Sequence, residues 1–284
     1  MRVLRAAIPF RTGLIFCVLV SALLWCGRTD AAIQTLFSSN SSVTVDSGSQ
    51  HGLFNWLIDG VNLAPTEGGG INDYRQWFWY SVGAAAPASV DTLTLVSSPQ
   101  TANALTLNYA GVGFTMGITI TLTGGTVGSG ASDIDEAISI TNTSGATLPF
   151  NFYQYGDFQL DPPTVGSENV TFPDSHTVME TGAMGDVEET VHTPVAAHQE
   201  AEPFPVTINK LDNGVNPVTL ADDAGAGPGD ITWAYQWTPN IGVGGSYIIS
   251  KDMSATVHVV PEPGTLTLLS IGLAGMPFFR RRRR

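Results

Sequence analysis

Strict alternation of apolar and polar residues, repeated in several separate stretches, constrains this chain more than anything else in it. Residues 90–96 read Val-Asp-Thr-Leu-Thr-Leu-Val, and 104–109, 114–122 and 134–140 repeat the two-residue period. That period puts every second side chain on one face of a pleated strand, whereas a helix would scatter them around its axis. Further candidate strands at 149–159, 206–211, 231–237 and 247–250 are rich in β-branched and aromatic residues. Asn142-Thr143-Ser144-Gly145, Asp212-Asn213-Gly214 and Gly244-Gly245 fall where hairpin turns are expected. Many short strands punctuated by glycine and proline predict an all-β domain, an antiparallel β-sandwich or a relative of one. No repeat of fixed length suggests a propeller or solenoid. Segments 124–132, 181–205 and 221–230 read as loops, the second a long irregular excursion dense in acids, histidine and proline.

Both ends depart from this texture. Arg2, Arg5 and Arg11 precede the apolar run 14–25, and Ala31 and Ala32 follow it. A charged head, an apolar stretch of that length and small residues make a secretory signal peptide, with cleavage expected after Ala31 or Ala32. The two cysteines, Cys17 and Cys26, fall in this leader. The exported protein is therefore expected to hold no disulfide, no thiolate metal site and no cysteine nucleophile. At the other end, residues 264–279 carry no charge, and Arg280, Arg281, Arg282, Arg283 and Arg284 close the chain. As a helix the uncharged run spans about 24 Å against a hydrocarbon core about 30 Å thick. Phe278, Phe279 and snorkelling arginines suit the interface and make up the difference. A buried core helix is the plain alternative, but five terminal arginines that need water tell against it. The positive-inside rule keeps those arginines cytoplasmic and everything before Pro261 outside. The expected organisation is a signal peptide over 1–32, an exported β-rich domain over 33–259 and a sorting tail over 260–284.

Pro261, Glu262 and Pro263, then the apolar run 264–279, then Arg280 to Arg284, resemble the PEP-CTERM sorting signal of exported bacterial proteins. The resemblance covers about the last two dozen residues. It implies a tail read by an exosortase, a membrane cysteine transpeptidase that cuts near the Pro-Glu-Pro motif, with this chain as its substrate. It further implies a Gram-negative host that makes exopolysaccharide and biofilm matrix.

Charge is partitioned as sharply as hydropathy. Formal charge is −13 for the whole chain, but nine of its 12 basic residues lie in the two terminal segments. Between 33 and 259 only Arg75, Lys210 and Lys251 offset 23 acids, a net charge of about −20. Such a body repels nucleic acid and anionic lipid, stays soluble, and attracts cations.

Four places carry candidate chemistry. His192 and His198, with Glu188, Glu189, Glu200 and Glu202 alongside and His176 upstream, offer imidazoles and carboxylates for acid–base work or metal binding. Their spacing matches no compact zinc motif and Pro194 bars a helix, so an ordinary polar loop is the plainer reading. Trp77 and Trp79 beside Arg75 offer rings to stack on a sugar and a guanidinium for its hydroxyls; a central strand buried on both faces reads the same way. Trp233, Tyr235 and Trp237 take the same discount. Asp133, Asp135 and Glu136, and Asp222, Asp223 and Asp230, are oxygen donors of the kind calcium takes, without an EF-hand spacing, so solvated loop acids are the plainer reading. Asn40, Asn142 and Asn169 head Asn-x-Ser/Thr triplets. No Gly-x-Ser-x-Gly elbow, Walker A loop, His-Glu-x-x-His or dinucleotide fingerprint is present.

The sequence thus predicts an exported, non-enzymatic sandwich protein with no required cofactor, held by its C-terminal helix as an inner-membrane precursor and then delivered to the cell surface or matrix. Its partners would be the transpeptidase and, in a structural or adhesive role, exopolysaccharide. The alternative is a carbohydrate-active enzyme: an epimerase using His192 or His198, or a glycosidase using two carboxylates that need not be close in sequence.

Overall fold

A computed structural model describes residues 33–66, 74–162 and 166–258. The leader and the tail, including Pro261, Glu262, Pro263 and the five arginines, lie outside the described residues. Among those described, no helix is long and apolar enough to cross a membrane.

The chain opens with strands β1 (Ile33–Ser38), β2 (Ser41–Asp46), β3 (Gly52–Ile58) and β4 (Val61–Asn62), then β5 (Trp77–Val82) and β6 (Ala88–Ser89). A single turn of 3-10 helix at Val90–Thr92 leads to β7 (Thr94–Ser97), β8 (Ala104–Gly111), β9 (Phe114–Gly124), β10 (Ala131–Asn142) and β11 (Leu148–Gly156). Next come β12 (Glu168–Thr171), β13 (Thr177–Thr181), β14 (Gly185–Thr193), β15 (His198–Pro203) and helix α1 (Val206–Asn213). The last elements are β16 (Gly225–Gly229), β17 (Ile231–Trp237), β18 (Asn240–Ile241) and β19 (Ser246–Val257).

Three antiparallel sheets result. A nine-stranded sheet runs β16-β12-β13-β14-β19-β10-β9-β8-β7, and a six-stranded sheet runs β15-β17-β11-β5-β6. The four N-terminal strands form a sheet of their own, whose β1 and β2 contact β9. The two larger sheets face one another, and aromatic rings interlock between them. Phe114 of β9 meets Tyr80 of β5 and Phe150 of β11, and Phe172 meets Tyr235 of β17. Alternation in β5 turns Phe78 and Tyr80 toward the nine-stranded sheet and Trp77 and Trp79 away from it. Those two tryptophans are also fully buried, because α1 and the segment after it cover the far side of the six-stranded sheet. Burying each such ring contributes about 1.5–3 kcal/mol.

Antiparallel all-β structure is what alternation predicts, and five local readings need correction. The strand read at 90–96 begins as the 3-10 turn Val90–Thr92, so only its end falls in β7, and Asp212-Asn213-Gly214 closes helix α1 and not a hairpin. Residues 206–211 form a helix, not a strand: the β-branched Val206, Thr207 and Ile208 suggest extension, but Thr207, Ile208 and Leu211 bury one helical face. The predicted excursion at 181–205 is β14 and β15; glutamates at inward positions hid their alternation. Half of the predicted loop 221–230 is β16, a glycine-rich edge strand paired with β12. Gly52 opens β3 at φ +58°, where an added Cβ would lie 2.3 Å from the Gln76 carbonyl oxygen, so no other residue fits.

Candidate functional site

The polar chemistry of the molecule is concentrated between its sheets. β14, β19 and β10 lie side by side in the nine-stranded sheet, and each turns a charged side chain inward: Glu189, Lys251 and Glu136. Glu136 and Lys251 are direct cross-strand partners, joined by a short hydrogen bond from Nζ to Oε2. The same Nζ lies 3.3 Å from Glu189 Oε2 and 5.4 Å from the centre of the Phe78 ring. Two amides are added: Gln154 of β11 donates to Glu189 Oε2 at 2.5 Å, and Gln76, which precedes β5 and bridges Leu53, donates to Glu136 Oε2 at 3.2 Å. Burial pushes the Glu189 carboxyl up to about 7 against the pull of Lys251, with Glu136 repelling it further. One cation between two carboxyls is neutral only when the pair holds one proton, and burial favours that state.

A second set of acids lies at one end of the interior. Glu180 of β13 accepts from Trp233 Nε1 at 2.9 Å, and Glu168 accepts the backbone N–H groups of Leu160 and Asp161 at 2.7 and 3.1 Å. Asp157 accepts from the Tyr155 hydroxyl at 3.2 Å and lies 3.5 Å from Arg75 Nη1. Burial drives Asp157 and Glu168 each up to about 7 and Glu180 well above the carboxylate range; mutual repulsion adds to it and Arg75 opposes it at Asp157. Carboxyls that keep protons near neutrality are general acids in kind. Here they are closed off, none more than 5% exposed.

The residues singled out in the sequence are not gathered into one place. His192 Nε2 lies 2.5 Å from Asp252 on the outer face of the nine-stranded sheet, whereas His198 Nδ1 lies 2.9 Å from Asp222 at the edge of the six-stranded one. Glu200 is fully buried and holds three groups: Thr207 Oγ1 at 2.9 Å, Lys210 Nζ at 2.7 Å and the Ala221 N–H at 3.0 Å. Its carboxylate pins α1 and the following segment onto β15. Trp77 and Trp79 present no ring face to solvent. Arg75 is buried beside them, donating to the Pro65 and Tyr74 carbonyls at 2.7 and 2.8 Å. Asp222 is engaged with His198, the Gln199 side chain donates to the Asp223 carbonyl, and Asp230 lies near Asp157 and Glu168 instead. Among the described residues no three histidine, cysteine or acidic side chains are placed to hold a metal. Asn142 is fully buried, donating to the carbonyls of Ala146 and Ile241 at 2.8 Å each, so its triplet is a structural turn.

Sequence reasoning missed the Glu136–Lys251–Glu189 assembly as a unit. A signal existed: in a body with three cations, Lys251 occupies an inward position between Ile249 and Met253.

The last described residues fix where the tail leaves. Val257 N–H donates to the Gly130 carbonyl and His258 N–H to that of Met184, each at 2.8 Å, and His258 Nε2 lies 2.9 Å from Asp186. The tail therefore departs beside the β9–β10 and β13–β14 loops.

Comparison with known proteins bears on that tail. No curated protein matches the sequence. Among solved structures, the chain is similar to a putative aldose 1-epimerase from Escherichia coli, at 13% identity over 80% of this chain and 99% of that one, TM-score 0.49. A galactose mutarotase-like protein from Lactobacillus casei aligns at 7% identity over 80% of this chain and 100% of its own, TM-score 0.48. A bacterial glucoamylase aligns at 9% identity over 85% of this chain and 36% of its own, TM-score 0.46. At that distance neither activity nor substrate passes from those proteins to this one. The PEP-CTERM protein-sorting motif matches residues 259–284. This chain accordingly ends in the PEP-CTERM signal of an exported protein, with exosortase as its processing partner.

Proposed function

We propose that the body is a structural or adhesive protein of the cell surface or extracellular matrix, in contact with exopolysaccharide. In this reading the helix 264–279 holds the precursor in the inner membrane until the transpeptidase cuts near Pro261-Glu262-Pro263. One observation supports it above the others: every cation of the body is engaged in an ion pair. Lys251 and Arg75 are buried, and Lys210 is bound to Glu200. The exterior is left to acids and hydroxyls. Along the outer face of the nine-stranded sheet Asp135 stands directly opposite Asp252, and Thr106 shares a hydrogen bond with Thr119. Such a surface stays hydrated and offers carboxylates and hydroxyls to sugar hydroxyls.

The test is intact mass of the protein recovered separately from the membrane and the matrix of its native host. A matrix form lacking the leader and the residues after the Pro-Glu-Pro region, and retained by purified matrix polysaccharide, is the expected result. A full-length form confined to membrane would overturn release. A released form with no retention on polysaccharide would overturn the adhesive role.

A second reading, a carbohydrate-active enzyme, draws on Asp157 and Glu168, whose carboxyls hold protons near neutrality. It requires the interior to open. Sugar turnover that disappears in Asp157→Asn would favour it over the matrix role.

A further inference from the structure

The face from which the tail departs carries a surface built to meet something. Phe37, 61% exposed, and Val127, 84% exposed, line with Leu57 a groove of about 450 Å³ whose polar rim includes Asn40 and Asp59. One chain of hydrogen bonds ties this groove to the tail. Val257 N–H donates to the Gly130 carbonyl; Gly130 and Gly128 N–H donate to Asp59 Oδ2 and Oδ1 at 2.9 and 2.8 Å; Asn40 Nδ2 donates to Oδ2 at 2.9 Å. The segments that form this end, 37–42, 98–103, 124–130 and 181–185, contain no charged residue. The acids beside them are Asp59, whose exposed carboxylate those three donors hold in its ionised form, Asp186, bonded to His258, and the buried Asp161, which accepts from the Ala183 N–H.

We infer that this end is the membrane-facing surface of the precursor and that its apolar groove rests on the lipid surface; the inference depends on the membrane-held tail proposed above. Reach is the first argument. From His258 to the start of the apolar run at 264 the chain covers about 20 Å at full extension. Strand β19, 12 residues long, carries the chain about 40 Å from the opposite end of the sandwich to this one. The far end, with Val112 at 96% and Val243 at 62% exposure, is thus held well away when the sandwich stands on its tail.

Electrostatics is the second argument. Lying down on the nine-stranded sheet would press Asp133, Asp135, Asp252 and Glu188 against anionic lipid, with no exposed, unpaired Lys or Arg among the described residues to offset them. The tail end presents fewer carboxylates, Asp59 and the His258-bonded Asp186, than the four of the sheet face and is repelled less. Two apolar side chains bind lipid weakly by themselves, but a short tether makes the contact intramolecular, at millimolar effective concentration or above for linkers of about this length.

The test uses the full chain with Cys17 and Cys26 changed to Ser, recovered from the membranes of an exporting host. One cysteine is introduced at Val127, or at Val243 as the far-end control, and carries an environment-sensitive fluorophore. The protein is reconstituted into vesicles of phosphatidylethanolamine and phosphatidylglycerol containing spin-labelled lipid. Co-flotation with the vesicles, with the Val127 probe losing most of its emission and the Val243 probe keeping it, is the expected result. Co-flotation with equal emission at both positions would overturn the orientation while leaving the membrane-held tail intact. Failure to co-float would bring down the tail reading first and this inference with it. Shielding of Val127 in native membranes but not in protein-free vesicles would give the face to a protein partner and overturn the lipid contact.

Discussion

Replacing Lys251 with Met tests the interior assembly directly. Methionine keeps most of the stem that packs on Phe78 and removes the ammonium that lies between Glu136 and Glu189. Removing one member of a buried ion pair costs about 3–5 kcal/mol, because the remaining charge is left without compensation. Here two carboxyls remain, and Glu189, already raised, can escape by taking up a proton. Each proton held above the ordinary carboxylate pKa changes stability by about 1.4 kcal/mol per pH unit. The sign follows from the folded state: carboxyls whose pKa is raised by folding bind protons the unfolded chain has lost, so stability falls as pH rises. Glu189 already behaves this way in the parent, up to about 7. With the cation gone Glu189 is pushed higher still, so the deficit should be about 4 kcal/mol at pH 8 and shrink toward acid pH by about 1.4 kcal/mol for each unit its pKa has risen. Urea unfolding reads this well by fluorescence, since Trp56, Trp77, Trp79, Trp233 and Trp237 are all fully buried. Parallel pH profiles for parent and variant would refute the electrostatic account and leave only packing.

The other predictions follow the same logic. Glu200→Ala strands Lys210, Thr207 and the Ala221 N–H, and should lower stability by about 3 kcal/mol, with α1 losing hydrogen-exchange protection first; Glu200→Gln, which keeps an acceptor, should lose about half as much, and equal losses would count against the staple. Asn142→Ala removes bonds to two buried carbonyls and should cost about 2–3 kcal/mol in a thermal or urea melt. The parent protein should lose stability between about pH 4.5 and 7, where Asp157, Glu168 and Glu189 stay protonated only when folded. Asp157→Asn should flatten that slope by up to about 1.4 kcal/mol per pH unit, and a parent melting temperature that climbs steadily across the window would contradict the burial of these acids.

Legibility in the sequence followed how many forces acted on each segment. Residues 114–122 and 134–140 alternate because one face meets the core and the other water, so local pattern and tertiary environment agree. β17 is buried on both faces, and its Trp233, Tyr235 and Trp237 were readable as core for that reason. Where the inward residue is charged the pattern misleads. Glu189 in β14 and Glu200 in β15 are buried because Lys251 of β19 and Lys210 of α1 meet them, a fact that lies on other elements and cannot be seen locally. Helix α1 was misread because its β-branched start favours extension, while burial of Ile208 and Leu211 decides the outcome. The candidate histidines were legible as residues but not as a site, since each has its own aspartate on a different element.

The distribution of positive charge connects the interior to the route the protein takes. Nine of the 12 basic residues stand in the two terminal segments, and in the proposed reading they orient the chain in a membrane. Of the other three, Arg75 and Lys251 are buried and Lys210 is spent on Glu200. Placing them outside would have cost nothing in folding, because surface ion pairs contribute about 0–1 kcal/mol. Instead, acids face one another across adjacent strands, as Asp135 and the His192-bonded Asp252 do, an arrangement that destabilises a sheet slightly. An exterior without cations gains nothing for the fold itself. Its physical effect is on contact: anionic surfaces are repelled by the acid-bearing sheet face and least by the end beside Val127 and Phe37, where Asp59 and the His258-bonded Asp186 are the acids. A chain carrying Asp135→Lys and Asp252→Lys exchanges one like-charge pair for another and loses the His192 contact, so it should fold with unchanged or slightly lowered stability, yet bind anionic vesicles through its side as well as its end. Equal vesicle binding by this variant and the parent, compared as bodies freed of the tail, would show that the bare acidic exterior has no part in orientation.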